Sequence, residues 1–125
     1  MKKLILLVLI ICACSQAPDS RLAKVCVDSY LEALKRSEFS AADKFYSDSY
    51  DGENRMEKMK KLESVTGPVV SWTLTDSTTA SPTGEPAGIE LTYEVKHSRV
   101  TTREKYTLIE EGGAYKITSQ SVENK

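Results

Sequence analysis

Few side chains in this 125-residue sequence could do chemistry: three cysteines (Cys12, Cys14 and Cys26), the single histidine His97, and Glu104, a carboxylate spaced to sit among aromatic residues. Cys12 and Cys14 close an apolar run, whereas Cys26 lies between Val25 and Val27, where a buried, inert thiol is expected rather than a nucleophile. His97 has no second histidine and no acid at ligand spacing, so no metal site is expected. No Gly-x-Ser-x-Gly elbow accompanies it, and beside Ser98-Arg99 it reads as an exposed turn residue. Alternation from Val100 through Thr102 puts Glu104 on one face with Tyr106 and Leu108. A carboxylate buried beside Tyr106 would be desolvated and suited to general acid–base work; a bulge between His97 and Thr101 would instead turn it outward as an ordinary strand acid. Tyr30, Trp72, Tyr93, Tyr106 and Tyr115 offer either the polar-tipped lining of a ligand pocket or the filling of a core.

These residues need elements to hold them. Helical spacing begins at Ser20, with Leu22, Val25, Cys26, Tyr30, Ala33 and Leu34 on the apolar side and Lys24, Asp28, Glu32 and Lys35 opposite; Asp19 or Ser20 can cap it. A second helix is expected to open at Ser40 with a capping-box pattern, burying Phe45 and then Tyr46, and Asp51-Gly52 to break it. A third, from Glu53 to about Val65, aligns Met56, Met59 and Leu62 and ends at Gly67-Pro68. Arg55, Lys58, Lys60 and Lys61 on that helix form either a solvated face or a patch for anionic headgroups. After Pro68 the period becomes two. Val70, Trp72 and Leu74 alternate first, then Ile89, Leu91, Tyr93 and Val95, with a Ser/Thr/Pro/Gly-rich loop from Asp76 to Gly88 between them. A strand from about Arg99 to Glu110 meets Gly112-Gly113, a hairpin turn, and a last strand runs from Ala114 to about Val122 with Tyr115 and Ile117 inward. Helices followed by an antiparallel four-stranded meander make the class α+β. With 17 basic against 18 acidic residues the chain has no basic field to hold nucleic acid.

The first residues carry an address. Met1-Lys2-Lys3 precedes the unbroken apolar run Leu4–Ile11, far short of the roughly 20 residues that cross a bilayer, so a secretion signal is expected rather than a permanent span. Its end, Ile11-Cys12-Ala13-Cys14, resembles the lipobox of bacterial lipoproteins. The resemblance implies diacylglycerol on the Cys14 thiol, cleavage between Ala13 and Cys14, and acylation of the freed amine. Ile11 before Cys12 is bulky for the alternative site. The implied organisation is a signal at 1–13, a lipidated cysteine and short tether at 14–19, and one domain at 20–125. Lipid chains of this kind hold a domain on a membrane, since each buried methylene contributes about 0.8 kcal/mol. Ser15 after the lipidated cysteine implies the outer membrane, facing the periplasm, in a Gram-negative cell.

From Arg21 to Val122 the order of elements, with Gly112-Gly113 leading into Ala114-Tyr115-Lys116-Ile117-Thr118, resembles small bacterial lipoproteins with a cystatin-like or nuclear transport factor 2-like fold, in which helices pack on a curved four-stranded antiparallel meander. Enzymes of the latter kind place an acid, a histidine or a tyrosine inside the cone between helix and sheet, which makes Tyr30, Trp72, Tyr93, Glu104 and Tyr106 the candidate pocket here. The leading expectation is a cell-envelope accessory domain without enzymatic activity or cofactor that meets a protein partner. A binder of small apolar ligands or a pocket enzyme is the rival, and an inhibitor or immunity-type lipoprotein the third reading. The interior discriminates between them: a closed apolar core favours interaction, an open one with inward polar groups favours a ligand.

Overall fold

The computed structural model describes residues 19–48, 54–80 and 88–125. The expected lipidation at Cys14 and cleavage after Ala13 lie outside them, as does the break at Asp51-Gly52. Among the described residues, three helices, α1 (Ser20–Lys35), α2 (Phe39–Asp43) and α3 (Arg55–Thr66), precede β1 (Val69–Ala80), β2 (Gly88–His97), β3 (Thr101–Glu111) and β4 (Ala114–Asn124). The strands form one antiparallel sheet in the order β1-β2-β3-β4, so the expected α+β meander is the fold.

Asp19 caps α1 by accepting from the Arg21 N–H at 3.0 Å. The buried stripe is Ala23, Cys26, Val27, Tyr30, Leu31, Ala33 and Leu34, while Leu22 and Val25, expected inside, are 55% and 60% exposed. The rotation has a polar cause. Asp28, expected on the solvent side, turns toward the sheet and accepts from Trp72 Nε1 at 3.1 Å and the Tyr93 hydroxyl at 3.2 Å. The largest buried side chains are tyrosines: Tyr30 meets Tyr46 and Tyr106 edge to face at 5.3 and 5.8 Å, and Tyr106 meets Tyr93 at 6.0 Å. Such pairs contribute about 0.5–1.5 kcal/mol each beyond the burial of their area.

Three departures shape the interior. The short α2 starts at Phe39 without the expected side-chain cap. Tyr46 is then more deeply buried than Phe45, because residues 45–47 join the edge of β4 through Ile117 N–H to Phe45 O and Ser47 N–H to Ile117 O, both 2.8 Å. β1 bulges at Val70 and Thr75, which turns Val70 outward, buries Val69, and lets the ladder run on to Ala80, well into the stretch expected as loop. On α3 only Met59 and Thr66 are buried; Leu62 is half-buried and Met56 exposed. With so few apolar groups to insert, α3 covers the end of the sheet without filling the space beneath it.

Cys26 belongs to the core, its Sγ 4.0 Å from Phe45 O. Burial pushes its thiol up to about 11 from 9.0, against a smaller downward pull from Lys116. The native fold therefore keeps a proton that the unfolded chain gives up first. The stability this represents is complete below pH 9 and is lost as pH rises through about 11. Tyr93 and Tyr106 are also buried as neutral phenols, and their loss adds to it at higher pH. The denaturant midpoint is expected to fall steadily above pH 9, and Cys26→Ala to flatten the first part of that fall. At pH 8 native Cys26 should resist a disulfide reagent that reacts promptly with the unfolded chain.

Candidate functional site

The inward phase of β2 is Ile89, Leu91, Tyr93 and Val95, and His97 is its next member. The expectation of an exposed turn residue is therefore corrected: the turn begins after His97, whose N–H bonds Val100 O at 2.9 Å, and the residue is 5% exposed. On β3 the inward phase is Thr102, Glu104, Tyr106 and Leu108, because β2 and β3 pair from Ile89↔Leu108 to Lys96↔Thr101 without a bulge. Glu104 is 1% exposed.

A carboxylate this deep needs partners. Its Oε2 accepts from Thr102 Oγ1 at 2.7 Å and lies 3.0 Å from His97 Nε2. Its Oε1 accepts from the Tyr106 hydroxyl and, at 3.5 Å, from Gln120 Nε2. Burial, with the Glu104 charge next, pushes the Tyr106 hydroxyl well above its ordinary range, so it remains a donor. At the other edge of the ring, His97 Nδ1 lies 3.1 Å from Gly67 O and 3.2 Å from Thr66 Oγ1, whose own hydrogen can go to Leu62 O at 2.8 Å. Each ring nitrogen thus faces oxygens that can accept from it. His97 and Glu104 form a buried pair, 3.0 Å apart, that joins the end of α3 to the centre of β3.

Gln120 arrives through a bulge. Leu108 pairs with Ile117 but Thr107 pairs with Ser119, leaving Thr118 as the extra residue of β4, its Oγ1 on Thr107 O at 3.1 Å. The inward phase therefore passes from Ile117 to Gln120 instead of Ser119. Gln120 Oε1 accepts from the Tyr46 hydroxyl, and Tyr46 and Tyr30 hydroxyls are 3.0 Å apart.

Above these groups lies a cavity of about 200 Å³ between α1, α3 and the end of the sheet. Leu34, Met59, Leu62 and Val69 make its apolar wall; Tyr30, Tyr46, His97 and Gln120 make its floor. Exposed Lys58 and half-buried Arg55 and Glu63 border it toward solvent. Arg55 is held there by Asp43, at 2.7 and 3.2 Å, and by Ser47 O at 3.1 Å, over the Tyr46 ring; the bond to Asp43 is the main reason its guanidinium holds its proton more firmly than usual.

Of the residues expected to form a pocket, Tyr30 lines the cavity, and Glu104 and Tyr106 lie directly beneath the floor. Trp72 and Tyr93 do not line it, because Asp28 draws both polar tips to the far side of α1, where Trp72 borders a shallow open groove. Tyr115 also lies elsewhere, its hydroxyl on Asp19 N–H at 2.8 Å. His97, Gln120 and Tyr46 complete the site in their place. Among the described residues no group of three or more His, Cys, Asp and Glu could hold a metal ion.

Among the described residues, three helices followed by a curved four-stranded antiparallel meander make a nuclear transport factor 2-like fold. An NTF-2 like protein of unknown function from Silicibacter pomeroyi superposes with a TM-score of 0.61 at 15% identity, over 84% of this chain and 94% of that one. Bd1075 of Bdellovibrio bacteriovorus superposes with a TM-score of 0.58 at 13% identity over 85% of this chain, which spans 40% of that longer protein. No family model and no curated protein matches the sequence.

Proposed function

We propose that this domain binds a small, largely apolar ligand in the cavity beneath α3, held at the surface of a bacterial membrane by lipid on Cys14. The observation that carries the reading is the cavity itself, with an apolar wall over a floor of inward polar groups. Of the alternatives weighed on the sequence, a closed core would favour a purely structural partner domain, and the interior here is hollow. Binding is favoured over turnover because both nitrogens of His97 and both oxygens of Glu104 are engaged within the fold, leaving neither residue a basic atom directed at a substrate. A protein partner in the envelope would then receive or respond to the ligand.

A ligand that binds only the native state raises the unfolding temperature. Toluene and similar compounds of one ring are expected to raise it for the native sequence and not for Leu62→Trp, whose indole occupies the space. No shift with any of them, or an equal shift in the filled variant, contradicts the reading. For the anchor, a Cys14→Ser chain should lose labelled palmitate; retention of label contradicts lipidation there.

A further inference from the structure

The hydrogen bonds of the floor have a direction, and the direction selects the ligand. Glu104, with a carboxylate's acceptors only, fixes the Gln120 amide: the nitrogen turns to Glu104 Oε1 and to the Tyr106 hydroxyl at 3.4 Å, the oxygen to Tyr46. Tyr46 has one hydrogen, which goes to Gln120 Oε1, so across the 3.0 Å contact Tyr30 is the donor. Thr102, Tyr106 and His97 Nε2 give their hydrogens to Glu104, and His97 Nδ1 gives its own to Gly67 O. Every one of these donors is spent inside the network. Gln120 Oε1 is a cavity-lining acceptor of this network, a carbonyl oxygen with two lone pairs that takes a bond from Tyr46.

We propose, resting on the reading of the cavity as a ligand site, that its ligand is a neutral molecule of about one ring carrying a hydroxyl or N–H that donates to Gln120 Oε1. Arg55 and Lys58 at the border can draw an anion to the mouth, but on the floor a carboxylate meets the Gln120 carbonyl oxygen and donors that the network already engages. An ammonium is disfavoured at the border, where Arg55 and Lys58 outnumber Glu63. The size follows from the volume, since a cavity of about 150 Å³ already admits benzene.

Calorimetric titration of the protein with toluene, benzyl alcohol and benzoate at pH 7 tests this. Benzyl alcohol is expected to bind at least about tenfold tighter than benzoate. In Gln120→Leu its affinity should fall about five- to tenfold, the loss of one hydrogen bond, while that of toluene does not fall. Benzoate binding as tightly as benzyl alcohol overturns the proposal, and so does an alcohol affinity that Gln120→Leu leaves unchanged. Either result leaves the cavity reading standing if toluene binds. If none of the three binds, both fall. The titrations of the unaltered protein decide the comparison with benzoate even if Gln120→Leu does not fold.

Discussion

Glu104→Leu is expected to destabilise the fold by about 3–5 kcal/mol, the cost of taking the shared acceptor from several buried donors at once. Leucine matches the stem but takes the acceptor from the Tyr106 hydroxyl and leaves the Thr102 hydroxyl and the Nε2 edge of His97, 3.2 Å apart, only each other as partners. Glu104→Gln should behave differently. Its oxygen can still accept from Tyr106, and its amide N–H can donate to a His97 that keeps its proton on Nδ1 toward Gly67 O; the displaced partners are then the Thr102 hydroxyl and Gln120 Nε2. The fold should survive with a loss of about 1–2 kcal/mol, while the floor loses the acceptor that orients Gln120. Denaturant unfolding of the two variants separates a charged, donor-saturated carboxylate from a space-filling one: equal losses for leucine and glutamine contradict the network as described.

Gly67→Ala is the second large effect, and it reaches the same site from the other side. Gly67 has φ +84° and ψ 166°, a region in which side chains other than glycine are strained. A Cβ there would lie 1.9 Å from Ser98 Oγ and 3.2 Å from Arg99 N. The residue sits at a junction where Gly67 N–H bonds Glu63 O at 2.8 Å, Arg99 N–H bonds Thr66 O at 3.0 Å and Ser98 N–H bonds Pro68 O at 3.0 Å. Backbone strain and the clash each cost about 1–3 kcal/mol, so a loss of about 3–5 kcal/mol is expected. Because Gly67 O is the acceptor for His97 Nδ1, the ring should also lose its fixed orientation. Adding Ser98→Gly to Gly67→Ala removes the side-chain contact and leaves the strain, so it should recover part of the loss and not all of it. Full recovery would mean that the positive φ matters little.

Period-two spacing made the inward face of β3 readable, and with it the position of Glu104 beside Tyr106. The same rule applied to β2 reaches His97 from Val95. The neighbouring Ser98-Arg99 suggested a turn one residue too early, so the partner of Glu104 went unread. Gln120 was not readable at all: alternation from Ile117 leads to Ser119, and only the bulge at Thr118, which no local residue type announces, brings Gln120 inside. Trp72 and Tyr93 were placed in the wrong region because their destination is set by Asp28, a helical acid that spacing alone puts in solvent. The cavity is a property of α3: Met56, Met59 and Leu62 form a stripe in sequence, but only Met59 becomes fully buried. The order of helices and strands, by contrast, follows from local period and from Gly67-Pro68 and Gly112-Gly113, and these local signals gave the α+β meander.

The central claim is that the hollow beneath α3 takes up a small molecule above the floor that His97 and Gln120 share. A two-dimensional NMR titration of the isotope-labelled protein with benzyl alcohol addresses it most directly. The account predicts saturable shifts largest at Met59, Leu62, Val69, His97 and Gln120, with Asp28 and the Trp72 indole N–H unmoved. Shifts centred on Trp72 and Phe45, or no saturable shifts at all, would contradict it.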